Sequence, residues 1–193
     1  MNHTGLEARD FITIGIFTAL HFTVVALVSC IGFIPALMVV MPSLCAVCGA
    51  PPFMLFLTRA GKFGMVTIMG VLLGLTSLLL ARPLPSLAIG AGAGLLADLC
   101  LKSRAGRGRA VVCCGVFSLW IMAMALPLFF GYQDAYLARM RGFGESYAAE
   151  VQAVLSPPWM FWFMTASVLI GGLVGGLIGR AVLKKHFVKA GLA

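Results

Sequence analysis

The chain has 193 residues, the length of one ordinary soluble domain, but its composition is not that of a soluble domain. Hydrophobic residues make up 61% of the sequence and charged residues 10%, against about 45–50% and about 25% in soluble proteins. So few charges cannot cover a surface that faces water, which excludes a soluble globular protein. The six cysteines show no spacing typical of a disulfide scaffold, so a small disulfide-rich protein is excluded too. The mean hydropathy of +1.05 predicts an integral membrane protein. In such a chain the net charge of +8 indicates membrane orientation rather than nucleic-acid binding.

Six apolar stretches are each long enough to be predicted as membrane-spanning helices, which need about 20 residues. Their approximate bounds are 11–33, 35–57, 63–81, 84–101, 110–130 and 157–183. The second stretch contains Pro42, Pro51 and Pro52, so a broken or re-entrant helix is an alternative there. We therefore expect an all-α protein with a single transmembrane domain over residues 1–193.

The distribution of Lys and Arg predicts which helix ends face the cytoplasm. With both termini inside, the cytoplasmic segments hold eleven of these residues, and only Arg82, Arg139 and Arg141 lie outside. This asymmetry follows the positive-inside rule. The N-terminal segment has no signal-cleavage pattern, so the first helix is expected to be retained.

The first predicted helix carries two features on opposite faces. Gly15 and Ala19 are four residues apart, and small residues at this spacing let a partner helix approach closely in lipid. His21 lies about 200° around the helix from Ala19, so it points into the protein if the small face meets a partner. A histidine at this depth is either a neutral ring hydrogen-bonded to a neighbouring helix or a functional group. Both interpretations stay open.

Other small residues at four-residue spacing are expected to pack inside the protein. They are Gly70 and Gly74, Gly90 and Gly94, and the glycines between 171 and 179. Asp98 is the only acid within a predicted span, and we expect it to pair with the basic loop that follows rather than to relay protons.

The sequence gives little support for catalysis. It contains no P-loop, no zinc-protease motif and no nucleophile elbow, so the protein is not predicted to be an enzyme. The spacing of Cys45 and Cys48 suits a dithiol or a soft metal, although buried cysteine is also a common small apolar residue. A membrane thiol oxidoreductase that uses these two cysteines is therefore an alternative.

Residues 131–156 form a long connection on the predicted outer side. Connections of this length are often lids or binding loops, and Gly142 and Gly144 would supply a hinge; a surface-lying amphipathic helix is the alternative. The aromatic residues near this connection fit either a membrane-interface belt or an aromatic binding site. We predict a substrate cavity on this outer side of the protein. Its predicted substrate-binding residues are His21, Cys30, Arg82, Trp120, Met124, Tyr132, Tyr136, Arg139, Trp159 and Trp162.

Five stretches spread over nearly the whole chain resemble the substrate-binding S components of energy-coupling-factor (ECF) transporters, a type of ABC importer. Within that group the chain resembles the Trep-Strep integral membrane family. The stretches are FITIGIFTALHF, FMLFLTRAGKFGMVTIMGVLLGL, GLLADL, FSLW and GGLVGGLIGRAVLKKHFVKAG.

The resemblance implies a multi-pass protein of the bacterial cell membrane that captures a vitamin- or cofactor-like substrate from outside. A separate transmembrane T component and two cytoplasmic ATPases would supply the drive, and Gly15 and Ala19 would dock on the T component. A stand-alone secondary transporter, which needs no such partners, is the alternative.

The predicted cavity is apolar and aromatic, with arginines at its rim that suit carboxylates or phosphates. No intrinsic cofactor is expected. Haem is the leading candidate for the transported substrate, with His21 as the axial ligand to its metal, or Cys30 in its place. Thiamine-like, flavin-like and other tetrapyrrole substrates are the alternatives.

Overall fold

The computed structural model describes residues 5–103, 108–125 and 129–187, and every regular element within these ranges is helical. The principal helices are α1 Ala8–Ser29, α2 Met41–Arg59, α3 Met65–Leu79, α4 Pro85–Ser103, α5 Arg109–Ala125, α6 Gln133–Met140, α7 Glu145–Leu155 and α8 Met160–Val182. The prediction of an all-α integral membrane protein is confirmed. Residues 104–107 and 188–193, which hold three of the predicted cytoplasmic cations, and residues 126–128 of the fifth predicted span lie outside the described ranges.

Within the described ranges, four helical segments are long and apolar enough to cross a membrane. They are Ala8–Phe33, Met41–Arg59, Pro85–Ser103 and Met160–Lys185. The apolar helices Met65–Leu79 and Arg109–Ala125 are shorter than the about 20 residues of a full crossing. Helix length therefore supports four of the six predicted spans, and the count of six and the cytoplasmic position of both termini stay predictions.

The second helix begins later than the sequence predicts. A short 3₁₀ turn at Cys30–Phe33 occupies the end of the expected 11–33 span, and another at Pro35–Leu37 occupies the start of the expected 35–57 span. Pro42 lies in the first turn of α2, where its missing N–H needs no helical partner. The chain stays helical through Pro51 and Pro52, so the broken-helix alternative is not observed.

Glycines bring the helices of the bundle into close contact. α3 packs extensively against α4, and α8 packs against both α2 and α5. A Cβ atom on Gly90 of α4 would lie 2.6 Å from the carbonyl oxygen of Gly70, and one on Gly175 of α8 would lie 2.6 Å from the Cβ of Ala50. Only a glycine fits at such distances, so the predicted internal role of these residues is confirmed.

Asp98 secures the start of α3. Its Oδ2 accepts hydrogen bonds from the backbone N–H of Gly64 at 3.1 Å, from the backbone N–H of Thr67 at 2.8 Å and from the Thr67 hydroxyl at 2.6 Å. These donors are the otherwise unpaired groups of a helix N-terminus. The carboxylate therefore caps α3. It forms no salt bridge with the described cations of the basic loop, Lys102 and Arg109, and Arg104 and Arg107 lie outside the described residues.

Lys62 ties the α2–α3 connection to the start of α1. Its Nζ donates to Asp10 at 2.9 Å and to Glu7 at 3.3 Å, and the hydrogen bond to Asp10 raises the pKa of Lys62 above its ordinary value. Lys102 and Arg109 line the same end of the bundle, which the charge distribution predicts to be cytoplasmic.

The glycine contacts predict opposite effects for two matched alanine substitutions. Gly175→Ala should lower the free energy of unfolding by about 1–3 kcal/mol because it overpacks the contact with Ala50. Gly92→Ala should raise it by about 0.5–1 kcal/mol, since a Cβ at Gly92 meets no atom within 4 Å and alanine favours a helix interior. Thermal unfolding in detergent measures both changes, and equal shifts in the same direction would contradict this account of the packing.

Candidate functional site

A cavity of about 330 Å³ lies at one end of the bundle, within the range of about 300–1,000 Å³ that small-molecule sites occupy. α1, α3 and α5 end there, α2 and α8 begin there, and α6 and α7 contribute to its lining. Arg82 and Arg139, two of the three predicted outer cations, line it. The cavity is therefore at the end that the sequence predicts to face outside.

Methionine and aromatic side chains form a large part of the cavity wall. The methionines are Met38, Met41, Met124, Met140 and Met164, and the aromatic residues are Phe22, Phe33, Tyr136 and Tyr147. Thioethers are flexible and polarisable and make favourable contacts with aromatic rings. The wall therefore suits a ligand with a flat, conjugated body.

The end of α3 sets the position of Arg82. The backbone N–H of Ala81 donates to Leu78 O at 2.9 Å, and that of Arg82 donates to Ser77 O at 3.1 Å, the two bonds of a Schellman motif. Ala81 has a φ of 57°, a left-handed conformation that costs an L-residue with a side chain about 1–2 kcal/mol. The turn therefore stores strain directly beside a cation that lines the cavity. Strained residues of this kind often occur in binding sites.

Arg82, Tyr136 and Arg139 form a wall that two cavities share. The same three residues line the main cavity and a neighbouring one of about 250 Å³, which Tyr132 also lines. Burial lowers the pKa of Arg82, as does the nearby charge of Arg139. Burial also raises the pKa of Tyr136, so its phenol keeps its proton at neutral pH and can donate a hydrogen bond.

Neither of the two cavity arginines forms a salt bridge with a carboxylate in the part of the chain that the structure describes. The third arginine of this region behaves differently: the Nε of Arg141 lies 3.8 Å from an oxygen of Glu145, and Arg141 does not line the cavity. The two cavity cations are therefore available to a ligand, whereas Arg141 has an internal partner.

The outer connection folds over the cavity as two short helices rather than as one surface helix. Gly131 (φ 71°) and Gly144 (φ 125°) precede α6 and α7, in conformations that favour glycine. The Phe143 ring lies 6.1 Å from that of Phe33 at the end of α1. Gly144 thus has a conformation that favours glycine, whereas Gly142 lies in the 3₁₀ turn Arg141–Phe143; the hinge stays a prediction.

His21 lies in the core of the bundle, apart from the cavity. It is 3% exposed, and its Nδ1 lies 2.9 Å from the carbonyl oxygen of Gly49, while its Nε2 accepts a bond of 3.1 Å from Trp120 Nε1. Because a carbonyl only accepts and an indole N–H only donates, the ring is neutral with its proton on Nδ1. Both ring nitrogens are occupied, which leaves no free lone pair for a metal.

The structure brings half of the predicted binding residues together. Those that line the main cavity are Cys30, Arg82, Met124, Tyr136 and Arg139, and Tyr132 lines the smaller one. Trp120 is buried beside His21. Trp159 and Trp162 are 59% and 70% exposed on the outside of α8, where an interface position explains them.

Several residues of the cavity wall are not among the predicted binding residues. Met38, Met41 and Met164 line the cavity but come from two helix starts that are far apart in the chain. Phe22, Ala26 and Ser29 also line the cavity. Their spacing places them on one face of α1, and this spacing is the one feature of the sequence that could predict them as wall residues.

The small face of α1 is open. Gly15 and Ala19 are exposed, and a Cβ on Gly15 would meet no atom within 4 Å. The buried residues of this helix, Ile14, Thr18 and His21 among them, lie on the other side. The predicted opposition of the small face and His21 is confirmed.

The two cysteines of the C-x-x-C motif differ in their surroundings. Cys45 is buried, and its Sγ lies 3.7 Å from Val25 O and 3.7 Å from the sulfur of Met41. Cys48 is exposed on the outside of α2. The pair shows no arrangement that favours redox chemistry over packing.

Taken together, the chain is a helical integral membrane protein with a methionine-lined cavity at one end of its bundle. It belongs to the family described as hypothetical bacterial integral membrane protein (Trep_Strep), whose model matches residues 8–189. No curated protein and no solved structure matches the chain.

The hydrogen bond between His21 and Trp120 predicts energetic coupling between them. His21→Phe should lower the free energy of unfolding by about 1–3 kcal/mol because it leaves the indole N–H buried without an acceptor. His21→Phe combined with Trp120→Phe should cost less than the sum of the single changes, by about 0.5–3 kcal/mol. Thermal unfolding of the four proteins in detergent measures this coupling, and additive effects would contradict it.

Proposed function

We propose that this protein is the substrate-capture S component of an ECF-type ABC importer. The observation that carries the proposal is the cavity of about 330 Å³ at the predicted outer end of the bundle, over which α6 and α7 fold. Membership of a bacterial integral membrane family is compatible with this role. The chain has no recognisable ATPase motif, so a T component and two cytoplasmic ATPases would supply the energy.

The open face of α1 is the proposed docking surface for the T component. Gly15 has free space where a side chain would be, and Ala19 is exposed on the same face. Small residues at this spacing allow close backbone contact between membrane helices. The opposite face of α1 holds the helix in the bundle, so a partner can bind without disturbing the core.

This docking surface predicts which of two matched glycine substitutions weakens assembly. Gly15→Leu should reduce co-purification of the T component and ATPases by about tenfold or more, because a large side chain blocks close helix approach. Gly92→Leu is the control. A Cβ at Gly92 also meets no atom within 4 Å, but Gly92 lies on α4 and not on the proposed docking surface. Quantitative pull-down from membranes, with thermal stability measured in parallel, tests the prediction.

Unchanged assembly with Gly15→Leu would move the docking surface elsewhere. If no T component or ATPase co-purifies with the unmodified protein, the stand-alone secondary transporter is favoured instead.

A cofactor-like cargo fits the cavity chemistry, and haem stays the leading candidate. His21 is a poor axial ligand because both of its ring nitrogens are hydrogen-bonded within the protein. Cys30 and Met124 line the cavity, and thiolate and thioether sulfur both ligate haem iron in proteins. Cys30 is therefore the preferred ligand if haem is the cargo.

The absorption spectrum with one equivalent of haemin tests this cargo. We expect a shifted, saturable Soret band that His21→Ala retains and Cys30→Ala alters or abolishes, because Cys30 lines the cavity and His21 does not. Melting temperatures of the variants control for loss of fold. A band lost in a folded His21→Ala variant would restore histidine as the ligand, and the absence of any band would favour a metal-free flavin-like or thiamine-like cargo.

A further inference from the structure

The charge of the cavity wall bears on the kind of molecule that the cavity accepts. Of the residues that line the main cavity, Arg82 and Arg139 are the only ones with charged side chains, and no carboxylate lies among them. Two like charges on the wall of one cavity repel each other, and the half-buried Arg82 loses part of its hydration, whereas Arg139 stays exposed. Such an arrangement is stabilised when an anion binds between them.

The neighbouring side chains complete a site for an anionic group. Tyr136 lies one helical turn before Arg139 on α6 and lines both cavities together with the two arginines. The strained Schellman turn at Ala81 fixes the backbone from which Arg82 projects. Guanidinium groups bind carboxylates and phosphates through paired hydrogen bonds, and a neutral phenol adds a further donor.

We propose that a carboxylate or phosphate group of the cargo binds to Arg82 and Arg139 and to Tyr136, which lines both cavities. The methionine wall then holds the apolar, conjugated body of the cargo. This inference rests on the proposed capture function and narrows the substrate class. It disfavours cationic cargo such as free thiamine, and it favours molecules such as haem, with its propionates, or a flavin phosphate.

Matched pairs of probes test the inference, since each pair shares one body and differs in the anionic group. The pairs are riboflavin 5′-phosphate with riboflavin, protoporphyrin IX with its dimethyl ester, and thiamine diphosphate with thiamine. We expect at least one anionic member to bind the purified protein and raise its melting temperature, and its neutral or cationic counterpart to bind at least about tenfold more weakly.

Four variants separate the arginine pair from general electrostatics. Arg82→Gln and Arg139→Gln should each weaken the anionic probe by about tenfold or more, and Arg82→Lys should retain part of the affinity because it keeps the charge but not the paired hydrogen bonds. Arg141→Gln is the matched control, because Arg141 pairs with Glu145 and does not line the cavity.

The outcomes distinguish this inference from the proposed function. Equal binding of both members of a pair, or anion binding that survives the combined Arg82→Gln and Arg139→Gln change, overturns the anion site while leaving cargo capture intact. Failure of every anionic probe to bind also overturns it. The proposed function itself falls only if the T component and ATPases fail to co-purify with the unmodified protein.

Discussion

A polar group within a membrane-embedded bundle must find its partner inside the protein, because lipid offers no hydrogen bonds. Among the described residues, no buried side-chain nitrogen or oxygen lacks a hydrogen-bond partner. His21 is held by a carbonyl of α2 and an indole of α5, and Asp98 caps α3. Both of these residues join neighbouring helices.

The two cavity arginines do not belong to this pattern, because Arg82 is half-buried and Arg139 is exposed. They lie where α3 and α6 meet the cavity, with methionine and aromatic side chains around them and without a carboxylate nearby. The adjacent left-handed Ala81 shows that the chain keeps a strained backbone at this point. Neither arginine is fully buried, so both can stay hydrated until an anionic ligand replaces that water.

α1 connects the two proposed activities of the molecule. One face supplies His21 to the core. Gly15 and Ala19 lie on another face, which they share with Phe22 and Ala26, and these two residues line the cavity further along the helix. The glycine contacts of α8 with α2 and α5 make the rest of the bundle closely packed. A partner helix on the open face of α1 would therefore contact the same element that forms part of the cavity wall.

Local patterns predict much of this architecture because they depend on helix geometry and composition alone. Apolar length identified the helical regions, the angle between Ala19 and His21 gave their opposite faces, and glycine spacing gave the internal contacts. Residues close in sequence share a face at known angles, and a chain with 10% charged residues has few ways to bury its surface other than in a membrane.

The cavity is different, because it is formed by residues brought together from seven helices and their connections. No local pattern relates Met38 to Met164, although both line the cavity. No local pattern indicates that Trp120 contacts His21 while Met124 lines the cavity. The exposed positions of Trp159 and Trp162 likewise depend on the packing. The sequence by itself determined the class of protein, the helical faces and the cations available at one end. Only the tertiary structure decided which of those residues share a space, because that depends on how the helices rotate and cross when they pack.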